Sequence, residues 1–236
     1  LEIRAKRHET PDAFLDLVAR HRDVIVPLAN GEPDSLMRAI DASGDRLQGV
    51  RIHQMHALRD RASIRGEVPG VRHVAYFLSS ITRKAFAAGT CDFTPAHFSD
   101  LPGVLRHIAP DPIVIAAASP PDRHGWFSLG TNADYVASFI GKAPFFLEVN
   151  PHMPRTRGEN NLHISQVAGW VFDDQPLIDV PRAEMNDKDR TIGRLISERI
   201  PDGATVQVGI GSISSAVLDE LGDHRELGVH TELFSD

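Results

Sequence analysis

A glycine-rich segment that could bind an anion lies in the last third of the chain. Gly209, Ile210, Gly211, Ser212 and Ile213 stand between an apolar run and an amphipathic run, where a strand would turn into a helix. Free backbone N–H groups and the helix dipole favour an anion at such a turn, and glycine lets a ligand approach the backbone closely. The segment lacks the third glycine of the dinucleotide fingerprint and the lysine of a P-loop. On spacing alone, a tight turn without a ligand remains the simpler interpretation.

A carboxylate stands at the end of the next apolar run. Glu232 closes the segment 227–232. At the C-terminal end of a parallel strand it would face the crevice in which such sheets bind ligands. His230 lies two residues earlier, so both side chains would point to the same side of a strand. A solvated acid at a strand end is the alternative interpretation, with His230 a coincidence of packing.

Several weaker candidates for catalysis or metal binding lie elsewhere. Ser128 stands in a Gly-x-x-Ser-x-Gly pattern, which is one residue longer than the elbow of a nucleophilic serine. His53 and His56 would need to share a helix face to bind zinc, whereas the pattern around them indicates a strand. Arg155 and Arg157 could hold a phosphate or carboxylate, or form a salt bridge within a loop.

Composition excludes several classes of protein. The 236 residues include 25 Lys and Arg against 32 Asp and Glu, a net charge of −7, which argues against a nucleic-acid-binding face. The longest apolar run, 113–118, is far shorter than the roughly 20 residues that a membrane helix needs. The one cysteine, Cys91, excludes a disulfide framework and is predicted to be a core residue in a cytoplasmic protein.

The hydrophobic pattern predicts an α/β fold, with a mainly parallel sheet flanked by helices, because short apolar strands alternate with amphipathic helices. The predicted strands are 23–29, 50–55, 71–77, 112–118, 144–149, 204–208 and 227–231. The predicted helices are 11–20, 33–40, 80–88, 132–140, 185–200 and 214–221, with Thr10 as the cap of the first and Asn186 or Asp187 as the start of the longest.

Two features suggest a second unit near the end of the chain. Residues 151–182 are rich in Pro, Asn, Gly and Arg and are predicted to be an excursion or linker with one short strand at 162–165. The segment 205–221 weakly repeats 24–40, which predicts one domain over 1–184 and the start of a second, similar one over 185–236. Because the chain begins with Leu1 and ends just after a strand-like run, we expect it to be a fragment.

Four strings occur together in a known order and spacing. They are SPPDRHGWFSLG (119–130), EVNPHMPRTRG (148–158), VQVGIGSISSAVLDEL (206–221) and LGVHTELFSD (227–236). Together they resemble the acetyl-CoA hydrolase/transferase family, and within it the 4-hydroxybutyrate type of class I CoA-transferase. The resemblance covers nearly the whole chain, from about residue 24 to residue 236.

The resemblance implies two tandem α/β domains with the active site between them, the second truncated here. It implies transfer of coenzyme A from an acyl-CoA to a short-chain carboxylate such as acetate, through a glutamyl-CoA thioester and without a metal. Glu232 matches the nucleophilic glutamate, and Gly209 to Ile213 match the turn that contacts CoA. Ser214 stands where that turn usually has proline, and since serine is a good helix N-cap we expect the turn to survive the replacement.

Three functions remain open from the sequence. The first is the CoA-transferase, which we expect to be a homodimer without a nucleic-acid or membrane partner. The second is an acyl-CoA hydrolase on the same scaffold. The third is a CoA-binding or assembly module without catalysis, since we expect the fragment alone to be inactive. A dinucleotide-dependent oxidoreductase is a distant fourth because the glycine pattern is incomplete.

Overall fold

A computed structural model describes residues 6–179 and 184–233. The chain forms two compact units, unit 1 over residues 1–178 and unit 2 over residues 179–236. This division lies a few residues before the boundary expected from the sequence. Residues 180–182 of the predicted linker and 234–236 of the last family string lie outside the described residues. Within the described residues, no helix is both long and apolar enough to cross a membrane.

Unit 1 is built on a seven-stranded sheet in which all neighbouring strands are parallel, in the order β4-β3-β2-β1-β5-β7-β9. The strands are β1 Asp23–Val26, β2 Val50–Gln54, β3 Val71–Ala75, β4 Cys91–Phe93, β5 Ile113–Ala118, β7 Phe145–Val149 and β9 Val167–Phe172. A separate antiparallel pair consists of β6 Trp126–Ser128 and β8 Asn161–His163. The prediction of a mainly parallel sheet is confirmed.

One helix of unit 1 precedes β1, and the others lie in the connections between parallel strands. They are α1 Asp12–His21, α2 Asp34–Asp41, α3 Ala62–Arg65, α4 Ser80–Ala87 and α5 Leu101–Ile108. Short 3-10 turns lie at Ala29–Gly31, Gly44–Arg46, Phe98–Asp100, Tyr135–Phe139 and Ile164–Gln166. The sequence did not predict α3 or α5.

The core lies on both faces of the sheet. Successive side chains of a strand point to opposite faces, and β1 accordingly sends Ile25 into one buried cluster and Val24 and Val26 into another. Every residue of β1, β5 and β7 is buried. Burial on both faces explains why these strands are continuous apolar runs in the sequence.

Residues 151–182 are not merely an excursion or linker, although the one short strand predicted at 162–165 corresponds to β8 Asn161–His163. This stretch contains β9, the edge strand of the main sheet, which pairs with β7 from Phe145↔Val167 to Val149↔Phe172. Its exposed and buried residues alternate less regularly than in a typical half-buried strand, and prolines and asparagines lie on either side of it. Those flanking residues belong to loops and conceal the strand in the sequence.

The helix predicted over 132–140 is also wrong, because this segment forms a 3-10 turn at Tyr135–Phe139. The Asp134 carboxylate accepts a hydrogen bond from the Val136 N–H at 2.9 Å. The Tyr135 hydroxyl accepts one from the Met55 N–H at 3.1 Å and donates to the Val26 carbonyl. These long-range contacts bind the segment to the ends of β1 and β2. Thr10 does not cap α1 either, since its hydroxyl bonds the Asp12 carboxylate instead.

The part of unit 2 that the structure describes, residues 179 and 184–233, forms two helices and two short parallel strands. They are α6 Asp187–Ser197, β10 Thr205–Val206, α7 Ser212–Glu220 and β11 Gly228–Val229. The Asn186 side chain accepts hydrogen bonds from the N–H groups of Lys188 and Asp189, which confirms the predicted start of α6. The strands cover less of the chain than the runs 204–208 and 227–231 predicted.

The loop after β1 packs closely around Gly31, and a substitution there tests this packing. A Cβ atom there would lie 2.7 Å from Asn132 Cγ and 2.8 Å from Pro27 Cβ. We predict that Gly31→Ala destabilises the fold by about 1–3 kcal/mol through overpacking. The matched change Gly103→Ala, on α5 with open space at its Cβ, is expected to stabilise by about 0.5–1 kcal/mol. Urea unfolding of both variants measures the two effects, and equal midpoints would contradict the close packing at Gly31.

Candidate functional site

The residues predicted to do chemistry lie at one edge of unit 2. Strands β10 and β11 are parallel, with Thr205 opposite Gly228 and Val206 opposite Val229. The chain that leaves β10 forms the glycine turn, and the chain that leaves β11 carries Glu232. Because parallel strands end at the same edge, the turn and the carboxylate are on the same side of this small sheet.

The glycine turn presents its backbone at the start of α7. Gly211 takes the N-cap position with φ of +135°, a conformation that favours glycine, and none of the side chains that the structure describes caps the helix there. A Cβ at Gly211 would meet nothing within 4 Å, so the space in front of the turn is open. The side chain of Ile210 is 76% exposed. The turn therefore leaves free N–H groups and open space where an anion can bind.

Ser214 is not the cap of the helix that follows the glycine turn. Helix α7 begins at Ser212, two residues before the predicted start, and Gly211 is its N-cap. Ser214 lies within the first turn of the helix, where it lines an apolar groove. The absence of the proline therefore leaves the turn and the helix intact without a serine cap.

Glu232 is exposed and lies beyond the end of its strand. Strand β11 ends at Val229, and the last backbone bond of the pair joins His230 N–H to the Val206 carbonyl at 3.0 Å. Neither His230 nor Glu232 therefore lies in the strand, and the expectation that strand alternation places them on one side is wrong.

Thr231 connects the two strand ends, and nothing in its residue type or spacing singles it out in the sequence. Its hydroxyl donates to the Val208 carbonyl at 2.7 Å, and the Val208 N–H lies 3.2 Å from the same oxygen as a donor. Gly209 follows Val208, and Glu232 follows Thr231. The Thr231 side chain thus links the residue before the glycine turn to the backbone just before Glu232.

An apolar groove of about 270 Å³ lies beside the turn. Its walls come from the glycine turn, from β10 and from both helices of unit 2. They are formed by Ile196, Ile200, Val206, Gln207, Val208, Gly209, Ile213, Ser214, Val217 and Leu221. The groove gives unit 2 an apolar surface next to the glycine turn.

Unit 1 carries buried acids near the C-terminal ends of its strands. Glu148, on β7, is 2% exposed and accepts hydrogen bonds from the Ser35 N–H at 2.5 Å and the Ser35 hydroxyl at 2.6 Å. Burial raises the pKa of Glu148 above its ordinary value, against the bonds from Ser35. Burial likewise raises the pKa of Asp134, whose carboxylate accepts from the Leu28 N–H at 3.0 Å. Both acids anchor loops at this edge.

The other candidates have structural surroundings. Ser128 is buried in β6, and its hydroxyl accepts from the Gly130 N–H at 3.1 Å, so it is not on an exposed elbow. Arg155 donates to the Pro120 carbonyl at 2.9 Å and the Trp126 carbonyl at 3.0 Å, which makes it a loop-fixing residue. Arg157 is exposed. Cys91 is buried, as predicted.

The two histidines considered for zinc have different surroundings. His53 is in β2, where Nε2 lies 2.9 Å from the Asp23 carboxylate and Nδ1 lies 2.8 Å from the Tyr76 hydroxyl. His56 lies after the strand and stacks on Phe77. Over residues 6–179 and 184–233, no group of three or more His, Cys, Asp or Glu side chains is arranged to hold a metal ion.

Comparison with known proteins identifies the class. Residues 6–181 match the model of the acetyl-CoA hydrolase/transferase N-terminal domain, which is most of the chain. The chain therefore belongs to the acetyl-CoA hydrolase/transferase family, and it is related to CoA-transferases. The match ends before the glycine turn and Glu232, so the roles of those residues remain predictions.

Individual relatives agree with this class. The chain is 35% identical to a succinyl-CoA:cyclohexane-1-carboxylate CoA transferase of Geobacter metallireducens, over 89% of this chain and 48% of that protein. It is 32% identical to a 4-hydroxybutyrate coenzyme A transferase of Clostridium kluyveri, over 100% of this chain and 56% of that protein. The chain spans about half the length of these curated relatives.

Solved structures show the same fold. RipA from Yersinia pestis superimposes with a TM-score of 0.89 at 28% identity, over 99% of this chain and 58% of that one. A 4-hydroxybutyrate CoA-transferase from Porphyromonas gingivalis superimposes with a TM-score of 0.76 at 28% identity, over 99% of this chain and 55% of that one.

The bridge at Thr231 leads to a prediction about local opening. Thr231→Val removes the hydroxyl that bonds both backbone groups of Val208, so the Val208 amide is expected to exchange with solvent about 5–30-fold faster, the equivalent of 1–2 kcal/mol. Thr231→Ser keeps the hydroxyl and is the matched control. Hydrogen exchange resolved at Val208 measures the effect, and unchanged protection in the valine variant would rule out the bridge.

The burial of Glu148 leads to a prediction about pH. A carboxyl whose pKa is raised by folding favours the folded state at low pH, and this contribution is lost as the pH rises through the folded pKa. Glu148→Gln removes the ionisable group. The free energy of unfolding of this variant, minus that of the native protein, should therefore increase between about pH 4 and pH 7. Unfolding free energies at several pH values test this, with the exposed Glu159→Gln as control. A difference that is constant with pH would contradict it.

Proposed function

We propose that the protein of which this chain is part is an acyl-CoA:carboxylate CoA-transferase that acts through a glutamyl-CoA thioester on Glu232. Membership of the acetyl-CoA hydrolase/transferase family and the names of the relatives support the class of reaction. The observation that carries the assignment of the residue is its position. Glu232 is an exposed carboxylate beside an uncapped glycine turn at the carboxyl ends of two parallel strands.

The reaction proceeds by exchange of bonds at the Glu232 carboxyl group. The carboxylate attacks the thioester carbon of acyl-CoA, the C–S bond breaks, and a mixed anhydride and the CoA thiolate form. The thiolate then attacks the glutamyl carbonyl, which releases the first acid and leaves glutamyl-CoA. An incoming carboxylate reverses these steps. Covalent catalysis of this kind divides one difficult transfer into easier ones.

The glycine turn supports this chemistry through its backbone. Each step passes through an oxyanion, which N–H donors held in place can stabilise by about 3–4 kcal/mol each. The free N–H groups at the start of α7 can supply such donors or bind the anionic part of CoA. The adjacent apolar groove offers a surface for the thioester arm, whose binding energy can be used at the reacting carbon.

Hydrolysis is the second candidate activity, and the exposure of Glu232 favours it. Water that reaches the anhydride or the glutamyl thioester releases free acid and free thiol in place of transfer. The difference between the two activities is therefore the exclusion of water. With acetyl-CoA and propionate, a transferase conserves the thioester and a hydrolase liberates CoA thiol.

Further properties belong to the same proposal. Residues 185–236 would begin a second domain similar to the first, and catalysis would need residues beyond this chain, in keeping with relatives about twice its length. We also propose a cytoplasmic homodimer that uses coenzyme A only as the acyl-CoA substrate, with acetate as one carboxylate. The 236 residues alone would then be inactive.

The nucleophile is tested by mass and by rate in the complete protein. Acetyl-CoA should add one CoA-sized mass that digestion maps to Glu232, and Glu232→Ala should lower exchange at least about 10³-fold, as expected on loss of a covalent nucleophile. Glu220→Ala, an exposed acid on α7, is the matched control and should retain full activity. Normal exchange by the Glu232 variant would refute the assignment.

A further inference from the structure

Units 1 and 2 repeat one local arrangement. In each, a helix precedes a strand, a turn and a second helix come next, and the following strand pairs in parallel with the first. In unit 1 these elements are α1, β1, α2 and β2, and in unit 2 they are α6, β10, α7 and β11. The two copies can therefore be compared position by position.

Strand register fixes the equivalent positions. Ile25 and Val206 are matching residues of the first strands in the repeat of 24–40 by 205–221. Ile25 lies opposite His53 in unit 1, and Val206 lies opposite Val229 in unit 2. His56 lies three residues after His53 in unit 1, and Glu232 lies three residues after Val229 in unit 2. His56 thus occupies in unit 1 the position that Glu232 occupies in unit 2.

His56 has the surroundings of a ligand-facing residue. Its ring is half-buried and stacks on Phe77 with centroids 5.4 Å apart and planes inclined by 13°. Its carbonyl accepts from the Ala29 N–H at 3.2 Å, which ties it to the turn after β1. Among the residues that the structure describes, no side chain or backbone group hydrogen-bonds its ring nitrogens. Burial lowers the pKa of His56, which keeps the imidazole neutral near pH 7.

A buried ion cluster holds the loop that carries His56. Arg61, 4% exposed, donates to the Glu32 carboxylate at 2.5 Å and the Asp34 carboxylate at 2.6 Å. Gln54, at the end of β2, donates to the same Glu32 at 2.6 Å. The residues on both sides of His56 are therefore fixed to the start of α2, and the imidazole is held in place.

We propose that His56 is a substrate-binding residue, whose ring N–H donates a hydrogen bond to an oxygen of the short-chain carboxylate while the carbon chain of that acid lies on Phe77 and Met55. This inference rests on the proposed function, since it names the residue that binds the acid in a CoA-transferase. The proposal gives unit 1 a binding residue for the carboxylate substrate, a role separate from that of the nucleophile proposed at Glu232.

The chemistry of the surface fits a small acid better than a phosphate. Phe77 is 49% exposed and Met55 is partly exposed, so an apolar platform lies next to the imidazole. The nearby arginines are already paired, Arg61 with Glu32 and Asp34, and Arg59 with Asp34 at 3.3 Å. The charges of these arginines are therefore largely neutralised by carboxylates, although Arg59 Nη1 makes no hydrogen bond to the described residues. A dianionic phosphate gains little from such paired cations, whereas a monocarboxylate needs one donor and an apolar contact.

Direct binding is measured by NMR of the histidine rings in the complete protein. The His56 signals are assigned by their loss in His56→Gln, and the protein is titrated with sodium acetate and with sodium butyrate. A saturable shift of the His56 signals is expected with both acids and none with sodium chloride. Phe77→Ala should weaken butyrate more than acetate, because it removes the contact with the carbon chain.

Kinetics separate binding of the acid from a general structural effect. His56→Gln is expected to raise KM for the carboxylate about tenfold, the cost of one hydrogen bond to a charged group, with KM for acyl-CoA nearly unchanged. The matched control is His107→Gln on the exposed part of α5, which precedes the N-terminal end of β5. It should change neither constant.

The outcomes distinguish this inference from the proposed function. A shift at His56 in a protein that shows no exchange would support the carboxylate site and refute the transferase. Exchange with no shift at His56 and an unchanged KM for the acid in His56→Gln would refute the site and leave the transferase standing. An equal rise in KM for the carboxylate and in KM for acyl-CoA in His56→Gln would also overturn the carboxylate site, because His56 would then be a structural residue.

Discussion

Parallel pairing of neighbouring strands is the constraint on which the rest of this structure depends. Each parallel strand must return to the same end of the sheet before the next begins, so helices cover the faces and all the strands finish at one edge. Residues far apart in sequence, such as those after β1 and after β2, are brought together at that edge. Unit 2 obeys the same rule with only two short strands, which places the glycine turn and Glu232 on one side.

The second consequence is that the loops, and not the strands, need specific anchors. The strands of unit 1 are held by their ladder and by apolar burial, and single apolar residues in them are interchangeable to a degree. The loops have neither a strand ladder nor full apolar burial, and hydrogen bonds and ion pairs of side chains hold them in place instead. Thr231 joins the two strand ends of unit 2, while Asp134, Glu148 and Arg61 fix loops of unit 1. Polar residues at this edge therefore define geometry more than they add stability.

Features that arise from local pattern are predictable from this sequence, whereas features that depend on distant contacts are not. The apolar runs of β1, β5 and β7 and the cap at Asn186 are recognisable because burial on both faces and capping leave direct marks on composition. Strand β9 is hidden because its buried and exposed residues alternate irregularly and because loop residues rich in proline and asparagine flank it. The 3-10 turn at Tyr135–Phe139 resembles a helix in the sequence because its bonds to Met55 and Val26 are invisible to periodicity. For the same reason Thr231 carries no signal, whereas the glycines and Glu232 are distinguished by residue type.

The two proposed functional residues, Glu232 in unit 2 and His56 in unit 1, differ in chemistry. An acid that is to attack a thioester must be within reach of the acyl-CoA, and Glu232 is exposed to solvent. A residue that is to bind a carboxylate must not carry a negative charge, and His56 occupies the equivalent position in unit 1 as a half-buried imidazole. The buried ion cluster beneath it is a costly way to stabilise a fold, because charges lose hydration when they are buried. Here the ion pairs fix one conformation of the loop that carries His56, which gives a reason for bearing that cost. In both proposals the chemistry of a unit is set by a single residue after the second of two parallel strands, Glu232 in unit 2 and His56 in unit 1.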